Sequence, residues 1–440
     1  MSEPKLERSL GPIMLWGLGV GYVISGMYFG WNLGLKEGGT LGLGIATFFI
    51  MVMYFTFSLS YSELACAIPK AGGAFDYARR ALGKNWGFIT GFAQIIEFVF
   101  APPAIAYGLG AYFNIWFPEV PVIVFAIGCY IVFTLLNISG VKASATFELF
   151  ITVLAVVELL VFSGFTLPHF QFENLMQNNF PHGWRGVLGA VPFAIWFFLG
   201  LEGIANVAEE TINPQKNILK GFTSAIITLL ILASLTFLSA VGIAGWESVV
   251  YIDASHTQTS DSPLPMALKF VSGDGSLFYH LLVLIGLFGF IASFNGLLLA
   301  AGRATYEFGR SENAPGWLGK IHPKFKSPAN ALLFNMAIGI LTLFTGETSS
   351  IITIATMGAL TMYALSTISL FVLRKKEADL ERPFKVPFYP FFPALALVIS
   401  MLALLALAYS YTTLFLIYVA LVVSAYVLFL LGTKRAKNSL

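Results

Sequence analysis

Residues 17–34 read GLGVGYVISGMYFGWNLG, and residues 191–210 read VPFAIWFFLGLEGIANVAEE. Both are apolar enough to lie in a bilayer, yet glycine interrupts each of them mid-span. The first carries Gly17, Gly19, Gly21, Gly26 and Gly30; the second has Gly200 and Gly203 on either side of Glu202. A helix in lipid must satisfy its backbone internally, so interruptions of this kind are tolerated only where they line a cavity or pack against protein. Broken helices at corresponding places in two five-helix halves point to a carrier whose cargo sits between the breaks. The alternative reading is close helix–helix contact through small residues, which membrane proteins use widely.

The rest of the chain has the same character. Of its 440 residues 57% are hydrophobic and 11% charged, with a mean hydropathy of +0.79. A soluble protein of that size could not cover its surface with so little charge. About twenty apolar residues cross a bilayer as a helix, which predicts about twelve helices, at 12–35, 41–63, 86–112, 121–138, 142–165, 187–210, 221–245, 279–308, 329–345, 350–373, 389–408 and 412–432. Almost nothing is left over for a soluble domain. The first apolar run has no small-residue cleavage site behind it and reads as a retained helix. Cys66 and Cys129 fall at the end of one apolar stretch and inside another, which excludes a disulfide framework or a CxxC metal site.

Charge sets the orientation. With an even helix count both termini share a side, and the loops on that side hold Lys70, Arg79, Arg80, Lys142, Lys216, Lys324, Arg374 and Arg382 among others, whereas the opposite loops hold Lys36, Arg185 and Lys269. The positive-inside rule places both termini in the cytoplasm of a multi-pass cell-membrane protein. Those basic loops are explained by topology, so nucleic acid is not an expected partner. His169, His182, His256, His280 and His322 lie in or near loops without metal-ligand spacing, which argues against a membrane-embedded enzyme.

Three carboxylates lie at membrane depth, where an ionised group costs roughly 2.5–3.5 kcal/mol on insertion scales. They are Glu97 in the third predicted helix, Glu158 in the fifth and Glu202 beside the break in the sixth. With no lysine or arginine at comparable depth, each must be protonated, hydrated, or neutralised by a partner that comes and goes, such as a transported cation or a proton. Glu148, near the start of the fifth helix, reads as interfacial and structural, as do Glu63, Glu209, Glu210 and Glu307.

Five segments in order resemble the amino acid–polyamine–organocation superfamily: ISGMYFG, YSELACAIPKAGGAFDYARRALG, FFLGLEGIANVAEETINP, GRATYEFGRSENAPGWLGKIHPKFKSP and LRKKEADLERPFKVP. FAQIIEFVFAPPAIAYGLGAYF and GMYFGWNLGLKEGG are similar to the narrower ethanolamine permease family. The resemblance implies a fold of two inverted five-helix repeats, about 12–165 and 187–373, with peripheral helices at about 389–432. It implies substrate contacts at the backbone of Tyr22, Ile24, Ser25, Gly26, Trp196 and Leu199, with Trp196 also forming a gate. It implies a pocket-facing place for Glu97, and a gating or proton-sensing role for Glu202. The expected cargo is a small amine, with the proton as coupling ion, sodium as the alternative ion, and no cofactor. Half-helix C-termini expose carbonyls that suit an ammonium group, and aromatic faces such as Trp196 and Phe197 add cation–π attraction.

Two departures bear on the cargo. Amino acid carriers tend to have Gly-Ser-Gly or Gly-Ala-Gly in the first break, where free N–H groups hold the carboxylate; this chain has Ile24-Ser25-Gly26, which keeps the N–H groups of Ser25 and Gly26 for a carboxylate but weakens its binding. Glu97 in the pocket would repel a carboxylate and attract an amine. An amino alcohol therefore fits better than an amino acid, and an amino acid permease or exchanger is the competing expectation. Some superfamily members carry a lysine on helix 5 where this chain has Ala155, which leaves Glu158, one turn on, to take a proton role or to face another helix.

Overall fold

The structure, a computed structural model, describes residues 8–139 and 144–438. Over these residues the chain is almost wholly helical, with ten helices long and apolar enough to cross a membrane and two shorter apolar ones, Pro12–Val23 and Ala329–Leu343. The protein is an all-α, multi-pass membrane protein. The predicted spans match the observed helices to within several residues, with Lys142 of the orientation argument outside the described residues.

The first membrane segment, α1, is built in pieces. Pro12 starts it, helix runs over Pro12–Val23 and Ser25–Tyr28, and the chain unwinds at Phe29 and Gly30 before resuming at Asn32. Gly39, at φ 64°, ends this piece and α2 follows over 40–67, so α1 reaches further than its predicted end. The next segments are α3 (Lys84–Asn114), α4 (Val122–Ser139) and α5 (Ser144–Thr166).

Segment α6 is also split. It is α-helical over Gly183–Trp196, irregular over 197–200, and 3-10 helical over Leu201–Glu210, with Gly200 at φ 100° between the halves. Side chains rarely adopt that backbone conformation, so glycine is what permits the break. The remaining segments are α7 (Pro214–Ala244), α8 (Leu277–Arg310), α9 (Ala329–Leu343), α10 (Thr348–Lys376), α11 (Phe391–Ser410) and α12 (Thr412–Asn438).

Small residues bring the inner helices together. A Cβ on Gly358 of α10 would lie 2.6 Å from the Ala93 carbonyl of α3, so these two backbones are in direct contact. Segments α1, α3, α6, α8 and α10 form the interior, α6 being the most buried of the spans. At the periphery, the most apolar stretch of α12 is 11% buried against 78% for α3, and its leucines face outward as lipid requires.

The face that holds the N-terminal end of α1 is tied by charge. Glu63 of α2 is buried and accepts from Arg374 at 2.8 and 2.6 Å and from the Val386 amide at 2.7 Å, with Arg382 3.3 Å away. Arg374 also lies over the Tyr389 ring at 3.9 Å. On the same face Leu10 pairs with Thr211, and Arg303 of α8 meets Glu210 at 2.7 Å. This seam fastens the ends of α1 and α6 to α8.

Candidate functional site

The two breaks meet at the centre of the bundle. A Cβ on Gly26 would lie 2.4 Å from the Trp196 carbonyl, so α1 and α6 touch backbone to backbone just before each unwinds. Beside this contact lies a small cavity lined by Tyr22, Val23 and Ser25 of α1, Ile105 of α3, Trp196 and Leu199 of α6, and Leu297 of α8. Its free space is about that of one water molecule. Of the predicted substrate contacts, Tyr22, Ser25, Trp196 and Leu199 line it and Gly26 adjoins it. Ile24 is buried but is not among the lining residues.

Serine 293 of α8 pins the first break. Its hydroxyl donates to the Gly21 carbonyl at 2.7 Å and accepts from the Ser25 amide at 2.9 Å. The Ser25 N–H is thereby committed, although it is one of the two that the sequence leaves for a carboxylate.

Above the cavity, away from the N-terminal face, aromatic rings close over it. Trp196 donates its indole N–H to the Phe29 carbonyl at 3.0 Å and meets the Phe29 ring edge-on at 5.6 Å. Phe29 packs on Phe290 at 5.2 Å, and Trp31 stacks on Phe197 at 5.7 Å. The side of the cavity nearer the N-terminal face is polar. Tyr363 of α10 donates to Glu202 Oε2 at 2.9 Å, and its oxygen receives the hydroxyl of Tyr54 at 2.9 Å. Glu97 is fully buried beside Glu202, with the Gly200 backbone and Tyr363 near it, and its oxygens make no hydrogen bond of good geometry among the described residues.

Glu97 is therefore not a wall of the cavity. Eight residues separate it from Ile105, the α3 residue that is, which is about 12 Å along a helix. Its neighbour is the acid of the second break. Two adjacent carboxyls without a cation can hold one proton between them, one donating and the other accepting. Further toward the N-terminal face, Gln94 donates to Asn206 at 3.2 Å, and Asn206 to the Ala71 carbonyl at 2.8 Å.

Two more carboxylates lie on α5. Glu158 is 2.6 Å from the Tyr28 hydroxyl, which is also 3.0 Å from the Ala155 carbonyl, so α5 holds the second half of α1 here. Glu148, read from sequence as interfacial, is buried: Gly21 and Gly296 supply the room, and Asn295 donates to it at 3.2 Å. Tyr54, Tyr363, Ser293 and Glu148 are site or near-site groups that sequence reasoning missed. For the first three the sequence shows only polar residues within apolar helices.

A membrane protein with two broken helices enclosing a central cavity, sealed by aromatic rings on one side and an ion-paired seam on the other, is a membrane transporter. The family described as amino acid permease matches residues 10–433, and the chain belongs to that family, within the amino acid–polyamine–organocation superfamily. It is 28% identical to an uncharacterized transporter of Rhizobium meliloti over 93% of this chain and 88% of that one. It is 25% identical to a branched-chain amino acid permease of Bacillus subtilis, over 99% of this chain and 95% of the relative. A low-affinity putrescine importer of Escherichia coli is 26% identical over 90% and 88% respectively. These relatives are carriers and not enzymes.

Proposed function

We propose that the protein imports a small amine, ethanolamine above all, across the cytoplasmic membrane together with protons, with both termini in the cytoplasm. The observation that carries this reading is the burial of Glu97 against Glu202, about two turns of α3 from the cavity residue Ile105. One negative charge shared by that pair favours a cationic cargo and disfavours a carboxylate in a low-dielectric interior. The commitment of the Ser25 amide to Ser293 adds to it, since a substrate carboxylate would have to displace that hydrogen bond. The putrescine importer among the relatives carries a cargo with amines and no carboxylate.

The mechanism that fits is rocking of a bundle containing α1 and α6 against a scaffold of α3, α4, α8 and α9, in two repeats of about 12–165 and 187–373. Opening toward the N-terminal face parts Arg303 from Glu210 and admits water to the carboxyl pair; opening the other way lifts Trp196 from Phe29. The proton on the pair exchanges in one state and is withheld in the other. This makes Glu202 and Trp196 the gating groups and assigns Glu158 to holding the outer half of α1.

A second reading, an amino acid permease or exchanger, is favoured by the aliphatic walls Ile105, Leu199 and Leu297 and by the branched-chain permease among the relatives. Counterflow of labelled ethanolamine into proteoliposomes, preloaded in turn with ethanolamine, choline, alanine, leucine and lysine, separates the two. The amine reading expects exchange with ethanolamine and little with the amino acids. Exchange with leucine or alanine and none with ethanolamine overturns it.

A further inference from the structure

Glu148 takes no part in the cavity or in the Glu97–Glu202 pair, yet it is 1% exposed and one of its oxygens has no hydrogen-bond partner. It lies four residues past Ser144, the first described residue of α5, and packs against Gly21, nine residues or about 14 Å along α1 from Pro12. Its surroundings are shaped to receive it. A Cβ on Gly21 of α1 would lie 2.8 Å from Glu148 Oε1 and 2.7 Å from the Thr152 hydroxyl, and a Cβ on Gly296 of α8 would lie 3.3 Å from Oε1. Two glycines from two other helices thus open a notch that the unpartnered oxygen occupies.

The second oxygen, Oε2, is supported in sequence: Asn137 of α4 donates to the Asn295 carboxamide oxygen at 2.9 Å, and Asn295 donates to Oε2 at 3.2 Å. Thr152 donates to the Gly17 carbonyl at 3.2 Å, and its oxygen borders the notch beside Gly21. Among the described residues, the ionisable groups around this site are Tyr22 of α1, and Arg303 of α8 with its partner Glu210 of α6 on the far side of Tyr22. None of them forms an ion pair with Glu148. A carboxylate there would be buried without compensation, whereas a neutral, protonated carboxyl costs far less to bury and keeps the Asn295 donor behind it.

We propose that Glu148 is a second proton-binding site, separate from the Glu97–Glu202 pair, and that its protonated form and the docked first half of α1 stabilise one another. When Pro12–Val23 is seated, the notch is dry and Oε1 keeps its hydrogen. When that half swings away, water from the N-terminal face reaches the carboxyl, which gives its proton to that water; reseating the helix requires the proton to return. The proposal rests on the transport reading for the movement of α1, and its test needs no substrate.

The test is hydrogen–deuterium exchange of residues 12–23 in the full-length protein in detergent across a pH series, corrected for the intrinsic pH dependence of amide exchange. One linked proton makes opening rise with pH by up to about tenfold per unit above the titration of the group. The expected result is that rise in the wild type, its loss in Glu148→Gln, whose amide stands in for the neutral acid, and its retention in Glu202→Gln. Equal pH responses in wild type and Glu148→Gln overturn the proposal, as does loss of the response in Glu202→Gln. Failure of Glu148→Gln to fold also counts against it, because a neutral isostere should suit the docked state. Infrared difference spectra of wild type against Glu148→Gln give an independent check, with one protonated-carboxyl band expected to be lost.

Discussion

Tyr363 donates its hydroxyl hydrogen to Glu202 at 2.9 Å while receiving that of Tyr54, so three helices meet at one buried acid. Because a phenol has a single hydrogen, this chain has a direction: Tyr54 to Tyr363 to Glu202. The oxygen of Glu202 left outside it makes no hydrogen bond of good geometry among the described residues and lies beside Glu97, with which it can share a proton. The break in α6 is thereby held by a group whose charge depends on what its neighbour carries.

Substituting both acids, Glu97→Gln with Glu202→Gln, removes one negative charge centred about 12 Å along α3 from the cavity residue Ile105. At an effective dielectric of about 20 that charge is worth about 1.4 kcal/mol to a bound ammonium, so the KM for ethanolamine rises about tenfold. Either single substitution leaves one carboxyl to carry the charge and shifts KM less. Initial uptake rates measure both effects, and an unchanged KM in the double variant speaks against electrostatic recognition.

Alanine at Gly26 drives a methyl group into the Trp196 carbonyl, 2.4 Å from the ideal Cβ position. The contact is backbone against backbone, so no side chain can yield. Gly26→Ala is expected to abolish exchange and to cost about 1–3 kcal/mol of stability, read as a lowered Tm in detergent. Normal exchange would mean that the two breaks do not need this approach.

Glu63 and Glu377 both bind arginine, and their substitutions should differ in cost. Glu63 is buried between Arg374 and Arg382, and Glu63→Gln leaves two arginines without their carboxylate at a cost of about 3–5 kcal/mol. Glu377 pairs with Arg80 on the surface, where the guanidinium holds its carboxyl below the usual range, and Glu377→Gln costs about 1 kcal/mol or less. Comparable losses in denaturation of the two variants would contradict this ordering.

Asp261, in the loop before α8, is raised from its ordinary 3.8 to about 6 by burial, against which the Thr348 hydroxyl at 3.0 Å works. Its neutral form suits the fold, so its contribution to stability is full below pH 3.8 and is lost as pH rises through about 6. Asp261→Asn keeps the contribution at all pH values. The variant should therefore match the wild type near pH 4 and melt higher near pH 7; equal Tm values at both would contradict the shift.

The breaks in α1 and α6 were legible because glycines in an apolar span have few other uses, and the spans were legible because lipid imposes one length. The extent of α1 was less so: its stop depends on the positive φ of Gly39, one glycine among many. The resemblance puts Glu97 at the cavity because its stretch of α3 is like a pocket-lining one; both Glu97 and Ile105 face the interior, but Ile105, about 12 Å further along α3, is the one that lines the cavity. Its pairing with Glu202 brings together residues from α3 and α6, and no local pattern encodes that. Glu148 was misread for a related reason. Closeness to a helix end suggests solvent, whereas its burial is made by Gly21 and Gly296, which only the folded bundle brings to it.

The most direct test of the central claim is accumulation of labelled ethanolamine in proteoliposomes under an imposed inward proton gradient, comparing wild type with the Glu97→Gln, Glu202→Gln double variant at saturating substrate. The wild type should concentrate ethanolamine above the external level, while the double variant exchanges it at equilibrium without concentrating it. Accumulation by the double variant to the wild-type level would contradict the account.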